Sequence, residues 1–189
     1  MNSLLHNRLI LLLVSELILL PPTLANDPPI HTLGSETCCV QQWLVIGPFP
    51  NTAGSSDSCE GTMAAVRPRQ PLGRIVCAQN GIVDLNRHFK APQSGVAYAF
   101  ARVVSPSEQT VQCFLGSGDN LKVWLNGRLV FERFAGGFEE SCVPGKHQFS
   151  LALRAGENAL LLKVESRIGD WAFIAEIADA SAAGRIVAE

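Results

Sequence analysis

The stretch Phe114–Phe134, FLGSGDNLKVWLNGRLVFERF, decides the fold. It reads as strand, turn, strand, hairpin turn, strand. Asn126-Gly127 stands between two runs rich in Val, Leu, Trp and Phe. Asn-Gly readily accepts two consecutive positive φ values. It therefore closes a two-residue type I′ hairpin whose twist matches the flanking strands. Gly116, Gly118 and Asp119-Asn120 mark the preceding turn, since Gly and Asn tolerate conformations that other residues resist. The centre of the chain is antiparallel sheet.

The pattern continues outward from this centre. Upstream, Val40–Ile46 reads as a first strand stopped by Gly47-Pro48-Phe49-Pro50-Asn51, whose prolines remove ladder donors. Arg74–Ala78 and Ile82–Leu85 read as short strands, Asn86–Lys90 as a turn, and Val96–Val104 as a strand ended by Ser105-Pro106-Ser107. Val111, Cys113 and Leu115 alternate with Thr110, Gln112 and Phe114. Downstream, Phe149, Leu151 and Leu153 share one face, as do Leu160, Leu162 and Val164, and Trp171–Ala178 is the last strand. No long helical periodicity occurs. Short strands punctuated by turns every 8–12 residues or so indicate two packed antiparallel sheets, an all-β sandwich of jelly-roll type.

The start of the chain has a different character. His6 and Arg8 precede the apolar run Leu9–Leu20, and Pro21-Pro22 leads to Thr23-Leu24-Ala25. This is the three-part pattern of a secretory signal cleaved after Ala25. The run falls short of the roughly 20 residues of a membrane span, and no later apolar run approaches that length. The expected organisation is a signal over 1–25, a flexible Pro-rich leader over 26–37, a sandwich domain over 38–182 and a tail over 183–189. The product is expected to be secreted or periplasmic. A formal net charge of −2 gives no electrostatic reason for a nucleic-acid or anionic-membrane partner.

All the cysteines, Cys38, Cys39, Cys59, Cys77, Cys113 and Cys142, follow the signal. An even count in an exported chain argues for disulfides, with the pairing left open. Cys38 and Cys39 point to opposite faces if they lie on a strand, so they would take different partners. A metal site is disfavoured because no Cys-x-x-Cys is present and the histidines fall at no ligand spacing.

A family resemblance rests on pieces in order: Trp43-Leu44-Val45-Ile46-Gly47-Pro48-Phe49-Pro50-Asn51; Tyr98; Gly116-Ser117-Gly118-Asp119-Asn120; Val123-Trp124-Leu125-Asn126-Gly127; Leu153-Arg154-Ala155-Gly156-Glu157-Asn158; Leu162-Lys163-Val164; and Gly169-Asp170-Trp171-Ala172-Phe173. Together they resemble the galactose-binding-like jelly-roll accessory domains of secreted bacterial proteins, over most of residues 40 to 180. The chain also resembles the related PA14 sandwich. The resemblance implies a module that binds carbohydrate or docks to other proteins, usually without catalysis. PA14 members often place two adjacent aspartates on calcium. Here Asp119 is followed by Asn120, one charge fewer. The cysteines are no part of the family pattern.

Trp124 is the leading candidate for a ligand contact, because an outward indole stacks on the apolar face of a sugar ring. Asp119, Asn120 and Asn126 would bond its hydroxyls, and Trp171, at the mouth of the last strand, would line the edge. The competing reading makes each structural: Trp124 packed on the outer face under a loop, Asn126 present for its positive φ, and Trp171 capping the core. If Val123 and Leu125 point inward, Trp124 points outward with Lys122. For catalysis, Cys77 with His88 or His147 is a thiol–imidazole pair on paper, and Glu139-Glu140 beside Asp119 a carboxylate set. No Gly-x-Ser-x-Gly, His-Glu-x-x-His or phosphate-cradling loop is present. The reading is an exported non-catalytic binding module for glycan. The alternative is a protein-interaction or envelope-structural module docking to a larger exported assembly.

Overall fold

The computed structural model describes residues 29–33, 38–50, 73–90, 95–134, 141–166 and 170–179. The stretch expected to be a signal, most of the expected leader, the expected tail, Cys59 and Glu139-Glu140 lie outside the described residues. Among the described residues, twelve strands and one short helix follow in order: β1 (Ile30–Thr32), β2 (Cys38–Cys39), β3 (Gln42–Pro50), β4 (Arg74–Cys77), β5 (Ile82–Asp84), α1 (Leu85–Phe89), β6 (Gly95–Ser105), β7 (Gln109–Gly116), β8 (Asn120–Leu125), β9 (Arg128–Arg133), β10 (His147–Leu153), β11 (Gly156–Glu165) and β12 (Ala172–Asp179).

They form a two-sheet sandwich. The larger sheet runs β4-β3-β6-β11-β8-β9, with β1 beside β6, and the smaller runs β10-β7-β12-β2, with β5 beside β12. From β6 to β8, and again from β10 to β12, consecutive strands change sheet at each step. This weaving makes nearly every pairing antiparallel and places sequence-distant strands side by side, such as β6 and β11 over ten register pairs from Gly156↔Ser105 to Glu165↔Val96.

Alternation supplies the core between the sheets. From the larger sheet come Trp43, Val45, Ala97, Ala99, Ala101, Leu121, Val123, Leu160, Leu162 and Val164. From the smaller come Val111, Cys113, Leu115, Leu151, Leu153, Phe173, Ala175 and Ile177. Trp43 meets Phe173 edge-on across the interface at 5.2 Å between ring centroids. That geometry suits two π quadrupoles. The intervening residues of the larger sheet form a second apolar cluster on its outer side: Leu44, Phe49, Val96, Tyr98, Phe100, Trp124, Ala159 and Leu161. β6 and β11 are thus apolar on both faces, which explains their nearly continuous hydrophobic sequences.

The hairpin forms as its sequence dictates. Asn126 and Gly127 have φ of 50° and 79°, both positive as a type I′ turn requires. Leu125 pairs with Arg128, and the register shifts between Val123 and Trp124. The Gly116–Asn120 turn, by contrast, carries the chain from one sheet to the other.

Three expectations are corrected. First, β3 does not stop at Gly47-Pro48. It continues to Pro50, pairing Phe49 with Val96 and Pro50 with Gly95 beyond a register shift. The proline's missing donor falls within that irregularity, where no ladder bond is lost. Gly47, at φ 147°, fits because an added Cβ would meet the Val96 carbonyl oxygen at 3.0 Å. Second, Ile30–Thr32, read as part of a flexible leader, pairs in parallel with Arg102–Val104. Third, Asn86–Lys90, read as a turn, belongs to a single helical turn. Asp84 caps it by accepting the Arg87 amide at 2.8 Å, and Lys90 closes it in the left-handed region at φ 51°.

Candidate functional site

The sequence-derived candidates separate into three places. Trp124 points outward from the sandwich, as alternation with Val123 and Leu125 requires, but it lies in the outer apolar cluster at 4 % exposure. It packs within this cluster, where Leu161 of β11 is its register partner. Beside it Lys122 makes an ion pair with Glu132 at 2.6 Å and lies 5.5 Å from the centre of the exposed Phe134 ring.

Asn126 joins two turns. Its Nδ2 donates to Asn158 Oδ1 at 2.9 Å, and its Oδ1 accepts the Ala159 amide at 2.9 Å. Asn158 is fully buried and organises its own turn, donating to the Arg154 and Gly156 carbonyls at 2.9 and 3.1 Å. Sequence reading anticipates the local role of Asn158; the clasp to Asn126 depends on pairing β11 with β8 and is invisible along the chain.

Asp119 meets the residue after Trp171 at the start of β12, while Asn120 opens β8 opposite Glu165. Asp119, 2 % exposed, accepts the Ala172 amide at 3.3 Å, and its own amide donates to Ser117 Oγ at 3.1 Å. Ser117 Oγ donates in turn to the Ala172 carbonyl at 2.7 Å. The carboxylate pins the crossing turn to the start of β12. Among the described residues no group of three or more His, Cys, Asp or Glu side chains is placed to hold a metal ion.

Trp171 has the consequence that matters most for a site. Its indole is buried in the core and donates to the Val164 carbonyl at 3.3 Å. Its backbone carbonyl accepts the Leu85 and Asn86 amides at 2.9 and 3.3 Å, and the Phe89 ring stacks on its indole at 5.5 Å. Trp171 therefore fixes α1, and α1 presents Arg87 and His88 to a recess of about 280 Å³. Val76 and Cys77 from β4, Gln79 from the following link, and Ile82 and Asp84 from β5 complete the lining. The recess sits where β4 of one sheet hands the chain to β5 of the other.

The chemistry of the recess follows from these groups. Val76 and Ile82 offer apolar surface, while Gln79, Asp84, Arg87 and His88 offer donors and acceptors. Arg87 Nη1 donates to Gln79 Oε1 at 2.6 Å, which orients both. Burial, aided by the positive charge of Arg74, holds the His88 imidazole below its usual range. It therefore serves as a neutral hydrogen-bonding group near neutral pH.

Cys77 and His88 do meet in one recess, as the thiol–imidazole reading supposed, but without a hydrogen bond between them: Cys77 Sγ lies 3.8 Å from Gln42 Nε2. His147 lies elsewhere, beside Phe131 at 5.6 Å. Cys77, Cys113 and Cys142 are free thiols in the structure, and Cys39 Sγ donates to the Gly81 carbonyl at 3.9 Å. Burial pushes the Cys113 thiol up to about 12 and, with Asp119 and Asp170 nearby, the Cys142 thiol up to about 11. Neither is a nucleophile at neutral pH, since only the thiolate attacks. Sequence reading singled out His88 and Cys77 but missed Gln79, Asp84 and Arg87. The Asp-x-x-Arg spacing at 84–87 was an available signal, because Asp favours a helix N-cap.

No family model matches the chain, and no curated protein does. Solved structures of similar shape include a β-glucosidase from Kluyveromyces marxianus in complex with glucose, with TM-score 0.49 and 14 % identity over 77 % of this chain and 16 % of that one. A GH2 β-galacturonidase from Eisenbergiella tayi bound to galacturonate gives TM-score 0.47 and 10 % identity over 76 % of this chain and 24 % of that one. An anti-sigma factor domain-containing protein from Clostridium clariflavum gives 0.44 and 8 % over 77 % and 43 %. This chain spans less than half the length of each, and the likeness is one of sandwich architecture alone. Among the described residues no helix is long and apolar enough to cross a membrane.

Proposed function

We propose that this is an exported, non-catalytic sandwich module whose ligand is a glycan. The observation that carries the reading is the recess at the sandwich edge. Apolar Val76 and Ile82 lie beside four hydrogen-bonding side chains, Gln79, Asp84, Arg87 and His88. A sugar ring needs both: an apolar surface for its C–H face and convergent polar groups for its hydroxyls. A volume of about 280 Å³ suits one or two rings. The thiol in the recess has no imidazole hydrogen bond to activate it, which supports a binding role over a hydrolytic one.

Glycan-array screening followed by affinity electrophoresis tests this. His88→Ala and Gln79→Ala should each weaken binding about five- to tenfold, the worth of one hydrogen bond. Trp124→Ala should leave binding unchanged in the protein that remains folded. Absence of binding to every glycan tested would remove the ligand class.

A second reading, docking to a larger exported assembly, is favoured by Leu129 and Phe134, large apolar side chains left exposed on and just after the edge strand β9. Exposed apolar side chains gathered at one edge mark a surface that meets a partner. Phe134 is the residue to replace: Phe134→Glu should abolish cross-linking to a partner in envelope extracts and leave glycan binding intact.

A further inference from the structure

The charges around the recess are unbalanced. Arg87 lines it, and Arg74 stands beside it, two residues before the lining Val76 on β4 and on the same strand face, close enough to His88 to bear on its protonation. Both arginines are exposed, and among the described residues neither has a carboxylate partner. Asp84 is the one carboxylate in the lining, and its Oδ1 is already held by the Arg87 amide at 2.8 Å. One guanidinium in the lining and a second beside it thus stand against the single carboxylate of Asp84. Gln79 holds Arg87 by one nitrogen only, leaving further N–H groups of that fork available. A planar guanidinium recognises carboxylate and sulfate oxygens through paired hydrogen bonds. The rest of the lining is suited to a ring, with Val76 and Ile82 apolar and Gln79 and His88 able to take hydroxyls.

We propose that the recess takes an acidic sugar, a ring bearing a carboxylate or sulfate group, with Arg87 and Arg74 meeting the anion and Gln79 and His88 its hydroxyls. This rests on the glycan reading and narrows it to the charged members of the class. It also assigns a position: the anionic substituent lies toward β4 and α1, and the ring lies over Val76 and Ile82.

Isothermal titration of the full chain with three oligosaccharides of equal length tests the inference: a neutral galactan, a polygalacturonate and a sulfated galactan. At low salt at least one acidic probe should bind about tenfold or more tightly than the neutral one. That preference should fade as salt rises to about 0.5 M, because exposed guanidinium groups are screened. Arg74→Gln/Arg87→Gln should erase the preference, and circular dichroism checks that the variant is folded. Carboxylate and sulfate are told apart by which acidic probe responds. Equal affinity for neutral and both acidic probes overturns this inference and leaves the glycan reading standing, as does a preference that survives the double substitution. Failure of all three to bind overturns both.

Discussion

Asn126 shows how one residue serves local and distant order together. Its positive φ makes the turn, and its amide clasps Asn158 and the Ala159 backbone. The two contributions can be separated. Asn126→Gly keeps the backbone conformation and loses the side-chain bonds, whereas Asn126→Ala loses both. We expect a loss of about 1–2 kcal/mol for glycine and about a further 1 kcal/mol for alanine, read from urea midpoints. Equal losses would show that the backbone term is negligible. Thiol chemistry is a second residue-scale test. Cys77 is exposed and should react readily with a thiol reagent in the native protein, while fully buried Cys113 should react only on unfolding. Native protection of Cys77, reversed by reductant, would instead reveal a disulfide.

Individual elements are bound by their two-sided environments. Trp124 on β8 belongs to the outer cluster, and Trp43 on β3 belongs to the core. Both Trp→Ala variants should therefore cost about 3–5 kcal/mol, although only Trp43 lies between the sheets. A surface-like loss below about 1 kcal/mol for Trp124→Ala would contradict its observed burial. Period-two alternation disclosed this much of the architecture in advance: Val123 and Leu125 inward, Trp124 outward, and Leu160, Leu162 and Val164 together. It did not disclose that the outward set is also buried, because an apolar residue looks the same in sequence on either face. β1 and α1 escaped for a different reason. A three-residue parallel pairing with β6 has no local signature, and one helical turn is too short to show a period. The recess was illegible for the same kind of cause: β4, β5 and α1 are individually weak and become a site only when the two sheets meet.

The molecule as a whole should have a stability optimum bounded by two kinds of buried group. Cys113 holds its proton more tightly when folded. Its contribution is therefore complete below its ordinary value of 9.0 and is lost as pH rises toward about 12, with Cys142 adding to the loss on the way to about 11. His88 acts in the opposite direction. The fold resists its protonation, so stability is full above 6.5 and declines as pH falls below that value. Urea midpoints measured from about pH 6.5 down to pH 5 should fall, ahead of the range where most carboxylates titrate. His88→Gln should flatten that slope; an unchanged slope would assign it to other groups.

β6 and β11 run side by side through the middle of the larger sheet with oily residues above and below them. Water reaches the amides of such a pair only when the layers on both sides have come away. In deuterated solvent these two strands should retain their protons longest and all at nearly one rate, a cooperative spine that opens only with the entire molecule.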